Sequence, residues 1–123
     1  LSEKILILVV DDDPDLRTLF KDIVETWGPP VDVRTCRDGR EAWELLRRGI
    51  GDGVISDLTM PAMSGEELLR RVRYRGVNLP FLLTSAVPGP QTRLMAQRLG
   101  AGFLAKPFGP ARIHDWLDLS FAH

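Results

Sequence analysis

The sequence alternates five times between a short β-prone run and a longer segment in which apolar residues recur at helical spacing. The β-prone runs occupy residues 5–10, 31–33, 53–56, 81–84 and 102–105. The helical segments begin at Pro14, Gly39, Gly65, Arg93 and Pro110. Strands joined by helices run parallel, and right-handed crossovers place helices on both faces of the sheet. The pattern therefore predicts an α/β fold, a single (βα)5 unit with a doubly wound, parallel five-stranded sheet.

Length and composition favour one domain, residues 1–123. The chain carries 16 Lys+Arg against 17 Asp+Glu, a formal net charge of -1, and this balance argues against nucleic acid as the main partner. Cys36 is the only cysteine, which excludes an intrachain disulfide and a multi-cysteine metal site. The apolar run at residues 5–10 is too short to span a membrane, and no targeting segment is visible. We therefore expect a cytoplasmic protein.

Charged and hydroxyl side chains stand at or just after the ends of four of the five predicted strands. In chain order they are Asp11, Asp12, Asp13, Asp57, Thr84, Ser85 and Lys106. Ligands of an open parallel sheet bind beyond the carboxyl ends of its strands, so these groups are expected to converge. Asp13 and Asp15 are interpreted separately, as capping residues of the first helix.

The converging groups suit phosphoryl transfer to a carboxylate. Clustered carboxylates repel one another, and a cation that prefers hard oxygen ligands, Mg²⁺ or Mn²⁺, removes that repulsion. The cation and the Lys106 ammonium can share the negative charge of an incoming phosphoryl group. An aspartate is a suitable nucleophile, and its product is an aspartyl phosphate. A nearby hydroxyl would sense the phosphoryl group once it has arrived.

Four short motifs resemble those of response-regulator receiver domains, in the same order and at the same strands. They are Val9–Asp12, Asp57–Pro61 with Met63–Gly65, Ser85–Ala86 and Lys106–Phe108. The resemblance extends over essentially the whole chain. It implies a flavodoxin-like sheet with the strand order 2-1-3-4-5.

The resemblance also implies roles for the acidic residues. Asp57 would be the phosphoacceptor. Asp11 and Asp12 would complete the acidic pocket for Mg²⁺, Asp12 as the more direct ligand and Asp11 largely through water. The backbone carbonyl of Thr59 would supply a further metal ligand beside Asp57.

The remaining motifs imply a phosphoryl-binding and switching set. Ser85 and Lys106 would bind the phosphoryl group, with Ser85 rather than Thr84 as the sensing hydroxyl. The peptide bond between Lys106 and Pro107 is expected to be cis. Phe103 matches the aromatic position that turns inward when the hydroxyl moves, although a fixed core aromatic is an equal interpretation.

The function implied is that of a phosphoacceptor switch in a two-component phosphorelay. The donor would be a phosphohistidine on a histidine kinase or a histidine phosphotransfer protein. Phosphorylation would change the surface formed by the fourth helix, the fifth strand and the fifth helix, and a phosphorylation-dependent homodimer stays open. The chain would be a signalling domain with only self-catalysed phosphotransfer and autodephosphorylation, and no nucleic acid or membrane partner is implied.

Several alternatives stay open. A haloacid-dehalogenase-type phosphatase also uses an Asp-x-Asp motif and Mg²⁺, but it needs a later acidic pair at a strand end, whereas Asp115 and Asp118 fall within the last predicted helix. A flavin carrier needs a phosphate loop after the first strand, where the aspartates would repel phosphate. The intact acceptor, hydroxyl and lysine positions argue against a degenerate receiver. A receiver domain excised from a hybrid sensor kinase is a further alternative.

Other residues have a structural and a functional interpretation. Arg70, Arg71, Arg73 and Arg75 are either a solvated helix end or a docking patch. His114 and His123 are predicted to lie on the surface. The loop at residues 87–90 contains two prolines, which limit how far it can move.

Overall fold

Each β-prone run forms a strand and each helical segment forms a helix. The computed structural model describes residues 4–87 and 89–121. The strands are β1 (Ile5–Val10), β2 (Val31–Cys36), β3 (Gly53–Asp57), β4 (Phe81–Ser85) and β5 (Gly102–Ala105). The helices are α1 (Pro14–Glu25), α2 (Gly39–Leu46), α3 (Gly65–Tyr74), α4 (Pro90–Arg98) and α5 (Pro110–Phe121). Within these two ranges, no helix is long and apolar enough to cross a membrane.

The five strands form one parallel sheet in the order β2-β1-β3-β4-β5. This order confirms the predicted fold class. Because the strands are parallel, their carboxyl ends all lie at one edge of the sheet. The register aligns those ends closely, since Asp57 pairs with Thr84 and Ser85 pairs with Ala105.

Two elements differ from the sequence prediction by three residues at one end, and β3 and β4 each end one residue later than predicted. Strand β2 continues three residues beyond 31–33 because Arg34, Thr35 and Cys36 all pair with β1. Arg34 and Thr35 are exposed on this edge strand, so they lack an apolar signal. Helix α4 begins three residues before Arg93, since Pro90 occupies its first turn, where the missing N–H costs nothing.

The sheet separates the apolar side chains into two cores. The core beneath α2, α3 and α4 includes Leu83, and the core beneath α1 and α5 includes Val9, Ile55, Leu82 and Leu104. Residues two positions apart in a strand lie on the same face of the sheet. If a strand residue belongs to one of these cores, the residue two positions further along the strand therefore projects on the same face of the sheet.

Three aromatic side chains close the amino end of the sheet. The ring centroid of Phe121 lies 6.2 Å from that of Trp27 and 6.3 Å from that of Trp116. Gly53 and Gly102 begin β3 and β5, and they leave room for these rings, since a Cβ at Gly53 would lie 2.9 Å from Phe121 and one at Gly102 would lie 3.1 Å from Trp116. The strands are thus held by aromatic packing at the end opposite to Asp57.

His114, predicted to lie on the surface, is half-buried there and makes specific contacts with α1. Its Nε2–H donates to the carbonyl oxygen of Ile23 at 2.8 Å and lies 3.1 Å from the hydroxyl of Thr26. The carbonyl belongs to the last turn of α1, where backbone acceptors lack helical partners. His114 therefore joins α5 to the end of α1. His123 lies outside the described residues, as does Pro88 of the proline-containing loop.

The arginines at the end of α3 make different contacts, and the guanidinium of Arg75 lies 5.8 Å from the centroid of the Trp43 ring. Arg70 and Arg71 form ion pairs of 2.9 Å with glutamates one turn earlier in the same helix. Arg73 instead donates to the carbonyl oxygens of Leu99 at 2.6 Å and Val77 at 3.0 Å. Arg73 thereby joins the end of α3 to the turn that precedes β5.

Candidate functional site

Four predicted site residues converge at the carboxyl end of the sheet, and three of them project from the same face. Val9, Ile55 and Leu104 belong to the core beneath α1 and α5. Asp11, Asp57 and Lys106 each follow one of these residues by two positions. Because side chains alternate along a strand, the three charged groups project on that same face. Asp12 adds a third carboxylate from the loop after β1.

The three carboxylates form a compact acidic cluster. One carboxylate oxygen from each of Asp11, Asp12 and Asp57 lies within 4.8 Å of the other two. Asp11 is 1% exposed, Asp57 is half-buried and Asp12 is exposed. Hard oxygen ligands on one side and open solvent on the other suit a cation that keeps part of its water shell.

Lys106 is the ammonium closest to this cluster among the described ion pairs. Its Nζ lies 3.5 Å from Oδ1 of Asp57 and 3.6 Å from Oδ2 of Asp11. Asp11 Oδ1 accepts a hydrogen bond of 2.9 Å from the backbone N–H of Asp13, whereas its buried Oδ2 has no hydrogen bond within residues 4–87 and 89–121. The carboxylates of Asp11 and Asp57 therefore share the ammonium of Lys106, which is 3.5 Å or more from each.

Burial raises the pKa of Asp57 above its usual value of 3.8, and the positive charge of Lys106 opposes this rise. Burial likewise raises the pKa of Asp11, opposed by the hydrogen bond from Asp13 and by Lys106. In both cases the surroundings disfavour the carboxylate on balance. A further positive charge beside these groups would stabilise their ionised forms.

Arg17 supports the acidic cluster from α1, and the sequence analysis missed it. Its Nη1 donates to the backbone carbonyl oxygen of Asp11 at 2.7 Å, which fixes the backbone where β1 ends. A cation near the start of a helix opposes the helix dipole. That unfavourable position was the available signal that Arg17 has another role.

The loop from β3 to α3 is held tightly against the sheet. The N–H of Leu58 donates to the carbonyl oxygen of Thr84 at 2.8 Å, and the N–H of Gly65 donates to that of Leu58 at 2.9 Å. Gly65 is buried against the backbone of Asp57, where a Cβ would overlap the Asp57 carbonyl oxygen. Thr59 is exposed in this loop, two residues after Asp57.

Ser85 lies on the opposite face from Asp57, as the alternation of β4 requires. It is 5% exposed, and its Oγ accepts a hydrogen bond of 3.1 Å from the backbone N–H of Val87. Phe103 is half-buried on β5, and the guanidinium carbon of Arg93 lies 5.0 Å from the centroid of its ring. The aromatic ring is thus covered by a cation from α4.

The segment after β5 is anchored on both sides. The N–H of Lys106 donates to the carbonyl oxygen of Ser85 at 2.8 Å, which extends the pairing of β4 with β5. The peptide bond between Lys106 and Pro107 is cis. Phe108 stacks on Phe20 of α1 with ring centroids 5.8 Å apart. These contacts fix the backbone from which the Lys106 side chain reaches Asp57.

Comparison with known proteins gives one consistent match. The family model described as the response regulator receiver domain matches residues 7–118. The chain is 39% identical, over 87% of its own length and 82% of the relative, to an uncharacterized 14.6 kDa protein of Leptolyngbya boryana. It is 30% identical, over 98% of its own length, to 13% of the sensor histidine kinase TmoS of Ectopseudomonas mendocina.

A solved structure matches the fold over nearly its entire length. Chemotaxis protein CheY4 of Vibrio cholerae has a TM-score of 0.84 and 30% identity, covering 97% of this chain and 100% of that chain. The matched region makes up most of the Leptolyngbya boryana protein but a small part of the sensor histidine kinase, so these two relatives differ greatly in size.

Proposed function

The chain belongs to the response regulator receiver domain family, and we propose that Asp57 is its phosphoacceptor. As a member of that family it is a phosphoacceptor module of two-component signalling. The observation that supports Asp57 is its place in the cluster, within 4.8 Å of the Asp11 and Asp12 carboxylates and 3.5 Å from the Lys106 ammonium. We further propose that the receiver domain comprises residues 1–123.

The acidic cluster fits a divalent cation. Three carboxylates converge, one of them has a buried oxygen without a hydrogen bond within the described ranges, and burial raises the pKa of two of them. We propose that Asp11, Asp12, Asp57 and the carbonyl of Thr59 hold Mg²⁺ or Mn²⁺. When bound, the cation supplies positive charge to the phosphoryl oxygens.

The protein's own residues contribute nucleophile and positioning. A carboxylate oxygen of Asp57 attacks the phosphorus of a phosphohistidine. The new O–P bond forms as the P–N bond breaks, and the leaving imidazole nitrogen takes a proton from solvent. Lys106 is close enough to Asp57 to hold a phosphoryl oxygen by a charge-assisted hydrogen bond.

Ser85 and Phe103 are proposed to form the switch. Phosphorylation would draw the Ser85 hydroxyl from its bond with Val87 toward the phosphoryl group. Phe103 would then turn inward and leave its contact with Arg93, which alters the surface of α4, β5 and α5. Contacts that exist only with the phosphoryl group would shift the population between two conformations.

The partners are proposed from the family. Receiver domains accept phosphoryl groups from histidine kinases, so we propose a histidine kinase or a histidine phosphotransfer protein as the donor. A phosphorylation-dependent homodimer and a cytoplasmic location also stay proposals. The match to a short relative supports a separate regulator, and the match to a small part of a sensor kinase supports a domain of a hybrid kinase. The proposed chemistry is limited to self-catalysed phosphotransfer and autodephosphorylation.

The test is incubation of the chain with Mg²⁺ and acetyl phosphate, followed by intact mass measurement. We expect a gain of one phosphoryl group, dependent on Mg²⁺ and lost on incubation at alkaline pH, as expected of an acyl phosphate. A chain that never gains a phosphoryl group would contradict the proposal. Steady turnover of a simple phosphomonoester would instead favour the phosphatase alternative. One observation already argues against that alternative, since Asp118 accepts a hydrogen bond of 2.8 Å from the Trp27 indole N–H.

Mg²⁺ is expected to raise the thermal stability at neutral pH. Burial raises the pKa of Asp11 and Asp57 in the folded state above the ordinary value of 3.8. The folded state is therefore destabilised at a pH at which both groups are ionised. This penalty disappears as the pH falls toward 3.8. At tenfold excess over its Kd, Mg²⁺ should add about 1.4 kcal/mol, or about 5 °C in Tm. Thermal melts should show this shift shrinking as the pH is lowered. An equal shift with K⁺ at matched ionic strength would argue against a divalent site.

A further inference from the structure

Thr84 carries a buried hydroxyl without a hydrogen-bond partner. The residue is 0% exposed, and its Oγ1 makes no hydrogen bond within the two described ranges. A buried hydroxyl that stays unpaired is destabilising, typically by about 1–3 kcal/mol. Among the described residues, the other buried side-chain atom without a hydrogen bond is Oδ2 of Asp11, which belongs to the acidic cluster.

The register of the sheet places Thr84 beside the phosphoacceptor. Thr84 pairs with Asp57 on β3, and it follows Leu82 by two positions. Leu82 belongs to the core beneath α1 and α5, so Thr84 lies on the same face as Asp57 and Lys106. Neighbouring strands lie about 4.7–4.9 Å apart, so the two side chains are adjacent on this face.

Thr84 also lies on the strand that the Lys106 side chain crosses to reach Asp57. Strand β4 separates β5 from β3, and the Lys106 side chain must cross β4 to bring its Nζ to within 3.5 Å of Asp57. The last residue of β4 on that face is Thr84, which pairs with Leu104, two positions before Lys106. Thr84 therefore lies on the strand between the one that carries the acceptor carboxylate and the one that leads to the ammonium.

We propose that Thr84 is a positioning residue that couples Lys106 to Asp57 during phosphorylation, an inference that rests on the proposed function. A hydroxyl has one donor and two acceptor sites, and an ammonium has three donors. When Lys106 turns to a phosphoryl oxygen, the Thr84 hydroxyl accepts one of its N–H groups and donates to a carboxyl oxygen of Asp57. The ammonium is then held at the reacting oxygen rather than free to move into solvent.

Strand formation alone does not account for threonine at this position. Valine has the same branched shape and the same preference for strands, and it would add no buried polar group. The neighbouring positions of β4 before it, Leu82 and Leu83, are both buried apolar residues. A hydroxyl here lowers the stability of the resting domain, which is expected where it serves the reaction.

The test compares Thr84→Val with Thr84→Ser. Both variants and the parent are incubated with Mg²⁺ and acetyl phosphate, and the phosphorylation rate is followed by intact mass. Thr84→Val should phosphorylate about fivefold more slowly, the factor expected for the loss of one ordinary hydrogen bond, and Thr84→Ser should restore most of the rate. Without Mg²⁺, Thr84→Val should melt about 3 °C higher than the parent.

Each outcome decides between the proposals. A normal rate in Thr84→Val, or a rate that Thr84→Ser does not restore, overturns the role of Thr84 while leaving Asp57 as the acceptor. A parent chain that takes up no phosphoryl group overturns the proposed function and this role together. A lower Tm for Thr84→Val would show that the hydroxyl is bonded in the resting fold and is structural.

Discussion

Asp57→Asn is expected to abolish phosphorylation by acetyl phosphate while raising the stability of the metal-free domain. The amide lacks the nucleophilic carboxylate oxygen, so no acyl phosphate can form at this position. Burial raises the pKa of Asp57, so its negative charge is disfavoured in the folded state, and the amide removes that charge. We expect a higher Tm than that of the parent at neutral pH without Mg²⁺, together with a smaller response to Mg²⁺.

Asp13→Asn is the matched control for that variant. Asp13 lies next to the acidic cluster, but its carboxylate caps α1 by accepting a hydrogen bond of 2.9 Å from the N–H of Asp15. Asparagine caps helices as well as aspartate does. Asp13→Asn should therefore phosphorylate at the parent rate. A phosphoryl gain in Asp57→Asn equal to that of the control would show that the acceptor lies elsewhere in the chain.

Gly65→Ala is expected to destabilise the domain by about 3 kcal/mol, at the upper end of the usual cost of overpacking. A Cβ at this position would overlap the carbonyl oxygen of Asp57, and it would also lie 3.0 Å from Leu83 and from the Ser56 hydroxyl. The backbone atom cannot move away without displacing the strand end that carries the acceptor. We therefore expect slower phosphorylation to accompany the loss of stability.

Urea unfolding provides the measurement for this variant. The control is Gly109→Ala, since a Cβ at Gly109 would have no atom within 4 Å and the change should stay within about 0.5 kcal/mol. If Gly65→Ala unfolds at the same urea concentration as the parent, α3 can shift away from β3. In that case the close contact between Gly65 and Asp57 is not needed for the fold.

The alternation of patterns predicted the fold because it is a local signal that repeats. Apolar runs followed by charged residues mark β1 and the ends of other strands. This signal was sufficient to predict that Asp11, Asp57 and Lys106 converge. The prediction for β2 was too short because its last residues contribute backbone pairing rather than buried apolar surface. Edge strands carry little of the periodic signal on which such predictions depend.

Contacts that depend on how elements and loops pack against one another could not be predicted in the same way. The link from His114 to Ile23 and the donation from Arg17 to the Asp11 carbonyl depend on how helices pack against the sheet. Neither residue has a neighbour in sequence that reveals its partner. Gly65 belonged to a motif of the receiver resemblance, but its contact with the Asp57 carbonyl depends on how the loop after β3 folds back onto that strand.

The aromatic packing at the amino end of the sheet has an optical consequence. Trp27 and Trp116 lie against Phe121 and the first residues of β3 and β5, at the end of the strands away from Asp57. Their fluorescence should follow unfolding and respond little to phosphorylation. A tryptophan introduced at Phe103 would add an emitter at the switch position, so that loss of the fold and a change of signalling state could be followed in one sample.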